Sequence, residues 1–401
     1  MKVPFFRPSL TDAEVDEVVD TLRSGWLTTG PKVRRFEERF GEAVGAPHAV
    51  AVNSATAALH LALEALGLRA GEGVLVPTLT FAATAEVVRY FGAVPVLVDC
   101  EPGSLNLDLE DAERRLSAPA PPGDVVSRIV GLIPVHVGGV MMDVARVRDF
   151  AARHSLWIVE DAAHAFPAAW RAARGDGWTR CGEGTAAVTC FSFYANKTLT
   201  TGEGGMAVTS DAALADRMRL MSLHGLSKDA WGRYAGGSWD YQIVAPGFKY
   251  NLTDIAASLG LHQLARAEVL RKSREEIALG YEEAFADVAE IERPGVPENR
   301  VLSWHLYPIR LRLERLRVDR NRFIADLQEA GVGCSVHWRP LHMHAYYRET
   351  FGFRPADLPV AAREWPRLIS LPLFPGMNAE ERAHVVSCVR GLCARHAQTT
   401  T

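Results

Sequence analysis

Short apolar runs alternate with amphipathic segments in the first half of the chain, and this alternation constrains the fold more than any other feature. The apolar runs are HAVAV, GVLVP, PVLVD, RIVGLIPV, LWIVED, AAVTCFSF and GGMAVTS. Between several of them lie segments with helical spacing, such as TAALHLALEALG, ATAEVVRYFG and VARVRDFAARHS. Buried strands that alternate with helices form a largely parallel sheet covered on both faces. The pattern therefore predicts an α/β fold.

An amphipathic helix is predicted before the first strand, over residues 11–23. Thr11 or Asp12 is its expected N-cap, because short polar side chains accept hydrogen bonds from the free N–H groups of a first turn. The apolar side of this helix comprises Val15, Val18, Val19 and Leu22.

The pattern changes after about residue 210, where helical segments predominate. In HLYPIRLRLERLRV, Ile309 and Leu311 alternate with Arg310 and Arg312, which predicts a strand with one solvated face. The arginines could bind an anion, but a solvated face is the more common explanation for such a charge run. We predict a large α/β domain at residues 1–255 and a smaller α+β domain at residues 256–401.

Composition excludes several classes of protein. The 401 residues carry a formal net charge of −4, whereas proteins that bind nucleic acid or a membrane surface usually carry a basic excess. No run of about 18 apolar residues predicts a membrane span, and the N-terminal residues do not resemble a signal peptide. The six cysteines form no C-x-x-C pair, which is typical of reduced thiols in a cytoplasmic protein.

Three polar segments follow predicted strands, where open α/β sheets bind their ligands. The first, Asn53 to Ala58, opens a helix, so its N–H groups could hold a phosphate, although an ordinary N-cap at Ser54 or Thr56 is the more common explanation. The second contains Asp161, an acid at the end of an apolar strand. Such an acid is costly to bury without a partner, and it is either a functional group or a helix cap.

The third segment, FSFYANKTLTTGEGGMAVT, places Lys197 just beyond a strand. A lysine near a core is seldom found unless it is paired or reactive. The segment is not a phosphate-binding P-loop, because its glycines follow the lysine. His337, His342 and His344 could suggest zinc, but their spacing matches no standard zinc motif, and we predict no metal site.

Together these segments resemble the DegT/StrS family of sugar aminotransferases, enzymes of pyridoxal-phosphate (PLP) fold type I. The resemblance covers nearly the whole chain and depends on the order and spacing of many motifs. They include SGWLTTG, VNSATAALHLAL, PTLTFAATA, VEDAAHA, FSFYANKTLTTGEGGMAVT, GFKYNLTDIAASLGLHQL, SWHLYPIRL, GVGCSVHWRPLH and SLPLFPGM. The resemblance implies a PLP-dependent aminotransferase.

The resemblance also implies the roles of three catalytic residues. Lys197 would hold PLP as a Schiff base and would move a proton as general base and acid. Asp161 would pair with the pyridine nitrogen and keep it protonated. His164 would lie near the 3′-oxygen of the cofactor.

Further cofactor contacts follow from the same resemblance. Phe81 would stack on the ring, while Ala55, Thr56 and Ser192 would hold the phosphate. Asn251 would reach the phosphate from a second subunit, which implies a homodimer with a shared active site.

The substrate implied by the resemblance is a nucleotide-linked keto sugar, with glutamate as the amino donor and C4 as the expected position. His337, Trp231, Arg233 and Tyr234 would contact it, although the loop that holds the last three could instead pack a dimer. The alternatives are a C3-specific aminotransferase and a PLP-dependent sugar dehydratase. That dehydratase branch replaces the Schiff-base lysine with histidine, so Lys197 favours amino transfer.

Overall fold

A seven-stranded sheet forms the centre of the protein in a computed structural model that describes residues 1–117, 126–227 and 240–398. The strands of the described residues are β1 (His48–Val52), β2 (Glu72–Pro77), β3 (Val94–Val98), β4 (Arg128–Leu132), β5 (Trp157–Asp161), β6 (Ala169–Trp170), β7 (Thr179–Arg180), β8 (Val188–Ser192), β9 (Gly205–Thr209), β10 (Ile291–Glu292), β11 (Arg300–Val301), β12 (Tyr307–Leu311) and β13 (Leu368–Leu371). The order in the large sheet is β1-β9-β8-β5-β4-β2-β3. Only β9 runs antiparallel to its neighbours in this sheet.

Helices cover both faces of the large sheet, as the alternation of strands and helices predicts. The α-helices of the described residues are α1 (Asp12–Ser24), α2 (Pro31–Val44), α3 (Ala55–Ala65), α4 (Ala83–Arg89), α5 (Leu109–Ser117), α6 (Val144–His154), α7 (Ala212–Met221), α8 (Asp254–Ala265), α9 (Ala267–Ala284), α10 (Arg320–Glu329), α11 (Ala345–Phe351), α12 (Pro359–Glu364) and α13 (Ala379–His396). Val50 and Val52 of β1 pack with α3 on one face, while Ala49 and Ala51 pack with α2 on the other. The predicted fold class is confirmed.

A smaller antiparallel sheet, in the order β10-β12-β13, lies in the C-terminal part of the chain. Ile309 and Leu311 of β12 are fully buried in a second core, whereas Arg310 and Arg312 form ion pairs with Glu292. The arginine run is therefore a paired, partly solvated face. The domain boundary at residue 255 stays a prediction; it falls inside α8, which packs on α1 and α2.

Helix α1 begins as predicted, with Thr11 as N-cap in a capping box with Glu14. Its buried side is not the apolar one, however, since Val15 is 52% exposed while Glu14 is completely buried. Glu14 accepts hydrogen bonds from Gln263 (2.7 Å) and Arg266 (2.7 Å). These polar partners, one on α8 and one at its C-cap, compensate the burial of this carboxylate.

No helix among the described residues is long and apolar enough to cross a bilayer.

Candidate active site

A cavity of about 450 Å³ lies at the carboxyl ends of the parallel strands, where such sheets bind ligands. It is lined by Ser54, Ala55, Thr56, Leu59, Thr80, Phe81, Ala83, Val135, Asp161, Ala163, His164, Ser192, Tyr194, Asn196, Lys197, Glu203, Gly204, His305, His337 and Trp338. The three polar segments that follow predicted strands therefore meet in one place. Residues beyond position 300 close the cavity from the opposite side.

Lys197 lies in the turn between β8 and β9, where its N–H donates to the carbonyl of Tyr194 (2.9 Å). The side chain is partly exposed because it borders the cavity. Burial nevertheless lowers the pKa of its amine from 10.5 to about 8; the attraction of Asp161 opposes this shift, and the charge of Arg274 contributes to it. A large share of Lys197 would therefore be neutral near pH 8, and a neutral amine can act as nucleophile or base.

Asp161 is the last residue of β5 and is only 6% exposed. One carboxylate oxygen accepts a hydrogen bond from the Thr84 hydroxyl (2.8 Å), and the other accepts from the N–H of Ala163 (3.1 Å). Burial raises the pKa of Asp161, and these hydrogen bonds and Lys197 oppose that shift. No helix follows in residues 162–168, so the helix-cap explanation for Asp161 is wrong.

Glu160, the acid beside Asp161, belongs to a different environment. Side chains alternate along a strand, so Glu160 and Asp161 lie on opposite faces of the sheet. Glu160 accepts hydrogen bonds from Thr185 and from Thr189 (2.7 Å), and it lies 3.6 Å from His136. The two neighbouring acids therefore do not share one function.

His164 is held in one tautomer. Its Nδ1 accepts a hydrogen bond from the N–H of Gly138 (3.3 Å), and burial holds its pKa well below the usual 6.5. A neutral imidazole whose Nδ1 is an acceptor carries its proton on Nε2. The ring stacks on Trp338, with 5.0 Å between centroids, which fixes its orientation. His164 can therefore donate a hydrogen bond from Nε2.

The first turn of α3 offers donors at the cavity wall. Ser54 is the N-cap, and its hydroxyl accepts from the N–H of Ala57 (3.1 Å), so the N-cap explanation applies to Ser54. The N–H groups of Ala55 and Thr56 lie in the first turn, which has no intrahelical acceptors. Free N–H groups and the positive end of the helix dipole favour an anion.

Gly205 brings this turn close to the sheet. A Cβ at that position would lie 2.5 Å from the carbonyl of Ser54 and 2.6 Å from the nitrogen of Ala55. Only glycine permits such an approach between β9 and the start of α3. The last glycine of GEGG is therefore required by this close approach, which the sequence does not reveal by itself.

Three further predicted residues also line the cavity. Phe81 is 62% exposed at the cavity, and Ser192 ends β8 at its wall. His337 also lines the cavity; its Nδ1 lies 2.9 Å from the Ser370 hydroxyl, and burial lowers its pKa to about 4.

Asn251 is absent from this cavity. It lies beside an open groove of about 1110 Å³ and donates to the Thr29 hydroxyl (2.7 Å). Trp231, Arg233 and Tyr234 fall outside the described residues.

Three residues of the site were missed by sequence reasoning. Thr84 and Trp338 contact Asp161 and His164, and His305 lies 4.1 Å from the ring of His164. Each is far from its partner in the sequence, so local patterns carry no signal for them. The other two histidines of the segment VHWRPLHMH have separate partners. His342 forms a hydrogen bond with the Thr78 hydroxyl (2.8 Å), and His344 with the carbonyl of Arg339.

Comparison with known proteins identifies the family. The family model described as the DegT/DnrJ/EryC1/StrS aminotransferase family matches residues 8–390. The chain belongs to this family.

Relatives match over their full length. The spore coat polysaccharide biosynthesis protein SpsC of Bacillus subtilis is 42% identical over 97% of both chains. The putative sugar aminotransferase Spr1654 of Streptococcus pneumoniae, in its PMP form, superposes with a TM-score of 0.87 at 34% identity, over 98% of this chain and 100% of its own. PseC of Helicobacter pylori, an aminotransferase involved in pseudoaminic acid biosynthesis, has a TM-score of 0.87 at 26% identity, over 98% of this chain and 100% of its own.

This DegT-family protein is thus a PLP-dependent aminotransferase, and the described cavity fits that cofactor. It provides an amine with a lowered pKa at Lys197, a carboxylate at Asp161 and the free donors of α3. These are the groups required to attach an aldehyde, to pair with a protonated ring nitrogen and to bind a phosphate.

Proposed function

We propose that this protein transfers the amino group of an amino acid, glutamate, to the C4 ketone of a nucleotide-linked sugar, with Lys197 as the lysine that holds PLP. The observation that carries the proposal is the convergence of Lys197, Asp161 and the start of α3 in one cavity. These groups come from three segments far apart in the sequence. A structural scaffold has no need to bring such a set together.

When bound, PLP supplies a conjugated ring that accepts the electrons left when a substrate carbon loses its proton. The chain must hold that ring and its charge in place. In this proposal the Asp161 carboxylate faces the ring nitrogen and stabilises its proton, and the Thr84 and Ala163 hydrogen bonds fix the orientation of the carboxylate. A preorganised charge of this kind stabilises an opposite charge more strongly in an enclosed site than in water.

Lys197 moves the proton. Because the pKa of its amine is lowered to about 8, the free Nζ would be able to accept a proton from the substrate carbon. The same amine, once protonated, can return the proton to another carbon within reach. One flexible side chain can therefore serve as base and then acid.

His164 and α3 position the remaining groups. His164 can donate from Nε2 to the 3′-oxygen of the ring, because Gly138 occupies Nδ1. Ala55 and Thr56 can donate to the phosphate from the first turn of α3, and Ser192 lies at the same wall. Phe81, with its large exposed surface at the cavity, is suited to stack on a planar ring.

The sugar substrate is supported by the relatives. Spr1654 is named a sugar aminotransferase, and PseC and SpsC are described as belonging to the biosynthesis of pseudoaminic acid and of spore coat polysaccharide. A nucleotide diphosphate would supply binding energy away from the reacting carbon and hold a weakly distinctive sugar in line. His337 and Trp338 border the space in which the sugar would lie.

A homodimer is part of the proposal. Asn251 borders the open groove outside the cavity of its own chain, where it is available to a second subunit. Isologous pairing about a twofold axis would bring the same contact to both sites. Each active site would then contain residues from both chains.

A panel of nucleotide-linked 4-keto and 3-keto sugars, with glutamate as donor, tests the function. We expect amination of a UDP- or TDP-linked 4-keto sugar, detected by mass spectrometry, with one 2-oxoglutarate released for each sugar aminated. Free keto sugars should react poorly. Exclusive turnover of 3-keto sugars would contradict the C4 assignment, and turnover of small 2-oxo acids alone would contradict the sugar assignment. Loss of a hydroxyl without 2-oxoglutarate release would indicate the dehydratase.

A further inference from the structure

Arg274 is a buried cation in the middle of α9, only 3% exposed. Its guanidinium donates to main-chain carbonyls from three separate segments of the chain. Nη1 donates to Leu373 (2.8 Å) and Trp304 (3.3 Å), and Nη2 donates to Asn196 (3.4 Å). Asn196 directly precedes Lys197, so this arginine touches the segment that carries the proposed catalytic lysine.

The charge of Arg274 is not neutralised by an acid. Its recorded partners in the described part of the chain are all carbonyl oxygens, and burial alone lowers its pKa, to about 10. Arg271, one turn earlier on α9, has the more usual arrangement: it pairs with Glu268 (2.7 Å) and Glu275 (2.9 Å). With a pKa near 10, Arg274 remains a cation at neutral pH.

A buried cation without an acid partner is unfavourable for folding. The carbonyl dipoles compensate only part of that cost. Arg274 and Lys197 both border one small gap of about 10 Å³, and the guanidinium of Arg274 donates to the carbonyl of the residue before Lys197. The two side chains therefore share one buried region, where charges are screened less than in water. Two positive charges in this position repel each other, and the arginine cannot release its proton as readily as the lysine.

We propose that Arg274 is a positioning residue that keeps Lys197 neutral and reactive, through its uncompensated charge and its hydrogen bond to the carbonyl of Asn196. This inference rests on the proposed role of Lys197. The charge favours the neutral amine, and the hydrogen bond ties the lysine segment to α9 and to the segments at Trp304 and Leu373. Burial is the largest cause that lowers the pKa of Lys197, the attraction of Asp161 opposes it, and the charge of Arg274 acts in the same direction as burial. Three other titratable side chains around the same cavity, His164, His305 and His337, are kept neutral because burial lowers their pKa values.

Two variants separate the charge from the hydrogen bonds. Arg274→Gln keeps amide donors for the carbonyls but removes the charge, whereas Arg274→Lys keeps a charge with fewer donors. Arg271→Gln is the matched control, because it removes a buried arginine from the same helix whose charge two glutamates already neutralise. Circular dichroism and thermal melting establish that each variant is folded.

The readout is the reactivity of Lys197 in the cofactor-free protein. Trace labelling with acetic anhydride across a pH series, followed by mass spectrometry of the Lys197 peptide, gives the pH midpoint at which the amine becomes reactive. Lys272, which is exposed, serves as the reference in the same sample. We expect Arg274→Gln to raise the midpoint by about one unit, which lowers the labelling rate well below the midpoint about tenfold. Arg274→Lys and Arg271→Gln should keep the wild-type midpoint.

An unchanged midpoint in folded Arg274→Gln would overturn the proposal. An equal rise in Arg274→Gln and Arg274→Lys would also overturn it, because the rise would then follow from lost contacts rather than from the lost charge. If Arg274→Gln does not fold, Arg274→Met, which also removes the charge, takes its place: a raised midpoint supports the role of the charge, and an unchanged midpoint contradicts it. The measurement does not use catalysis or cofactor. The labelling result can therefore be interpreted even if the protein does not catalyse the proposed reaction.

Discussion

Asp161 carries the electrostatic part of the proposed mechanism, and a single atom change tests it. Asp161→Asn keeps the shape of the side chain and removes the negative charge that would face the ring nitrogen. We expect kcat to fall by about two orders of magnitude or more, as for the loss of a key charge partner in an enclosed site. Steady-state kinetics with saturating PLP measure this effect.

The same substitution should leave the fold intact, because an amide can still accept from Thr84 and Ala163. Thermal melting of the cofactor-free protein provides the control. Activity within a few-fold of wild type, in a folded variant, would mean that Asp161 serves only to order the turn after β5.

Lys197 should reduce the stability of the cofactor-free protein. Burial lowers its pKa from 10.5 to about 8, so the unfolded chain binds the proton more tightly than the folded chain. The resulting destabilisation is fully present below pH 8, amounts to about 3 kcal/mol, and disappears as the pH rises above the pKa of the unfolded lysine.

Lys197→Met should therefore raise the melting temperature of the cofactor-free protein at pH 7, and the gain should shrink as the pH approaches 10. Differential scanning calorimetry at the two pH values measures the difference. An equal gain at both values would show that the change acts through packing rather than through the proton.

At the scale of elements, the junction between β9 and α3 controls the anion site. Gly205→Ala would place a methyl group 2.5 Å from the Ser54 carbonyl, and main-chain atoms at that distance must move apart. We expect the first turn of α3 to shift and the affinity for PLP to fall by about tenfold, since each misplaced N–H donor costs of the order of 1 kcal/mol. Equilibrium dialysis with PLP measures the affinity.

Gly280→Ala is the matched control for this prediction. Gly280 lies in α9, and a Cβ there meets no atom within 4 Å. The substitution should stabilise the helix by up to about 1 kcal/mol and leave the PLP affinity unchanged. Equal losses of affinity in both variants would refute a special role for the close approach at Gly205.

The sequence predicts elements better than it predicts what they bury. The strands, their parallel arrangement and the cap at Thr11 follow from local patterns. The buried face of α1 does not, because the burial of Glu14 is compensated by Arg266, the C-cap of α8, 252 residues later in the chain. Val15 and Leu22 are exposed although they form the apolar side.

The same distinction holds at the candidate site. Lys197 and Asp161 were predicted from polar residues that directly follow apolar strands, and the family resemblance supplied their roles. The partners that orient them are not predictable in this way: Thr84 lies 77 residues from Asp161, and Gly138 is 26 residues from His164. Such contacts depend on strand order in the folded sheet.

On the scale of the whole molecule, the proposed dimer has residues of two chains in each active site. Mixing inactive Lys197→Ala with an inactive Asn251→Ala variant should restore activity, because one site of each heterodimer then contains native residues at both positions. With random exchange of equal amounts, about a quarter of the wild-type activity is expected for a twofold dimer.

Subunit exchange must be demonstrated in that experiment, for example with one chain carrying an affinity tag. Complete exchange with no recovery of activity would place Asn251 and Lys197 of one site on the same chain, or exclude Asn251 from the site. A mixture of Lys197→Ala and Asp161→Asn should not recover, because both residues line the cavity of one chain.

Chemical fixation of PLP to the protein shows which lysine holds the cofactor, and we propose that this lysine is Lys197. The protein is incubated with PLP, reduced with borohydride and digested, and the peptide that carries the cofactor is identified by mass spectrometry. We expect stoichiometric modification of Lys197 in the wild-type protein and no modified peptide in Lys197→Ala. A cofactor fixed at Lys249, Lys272 or another lysine would contradict it.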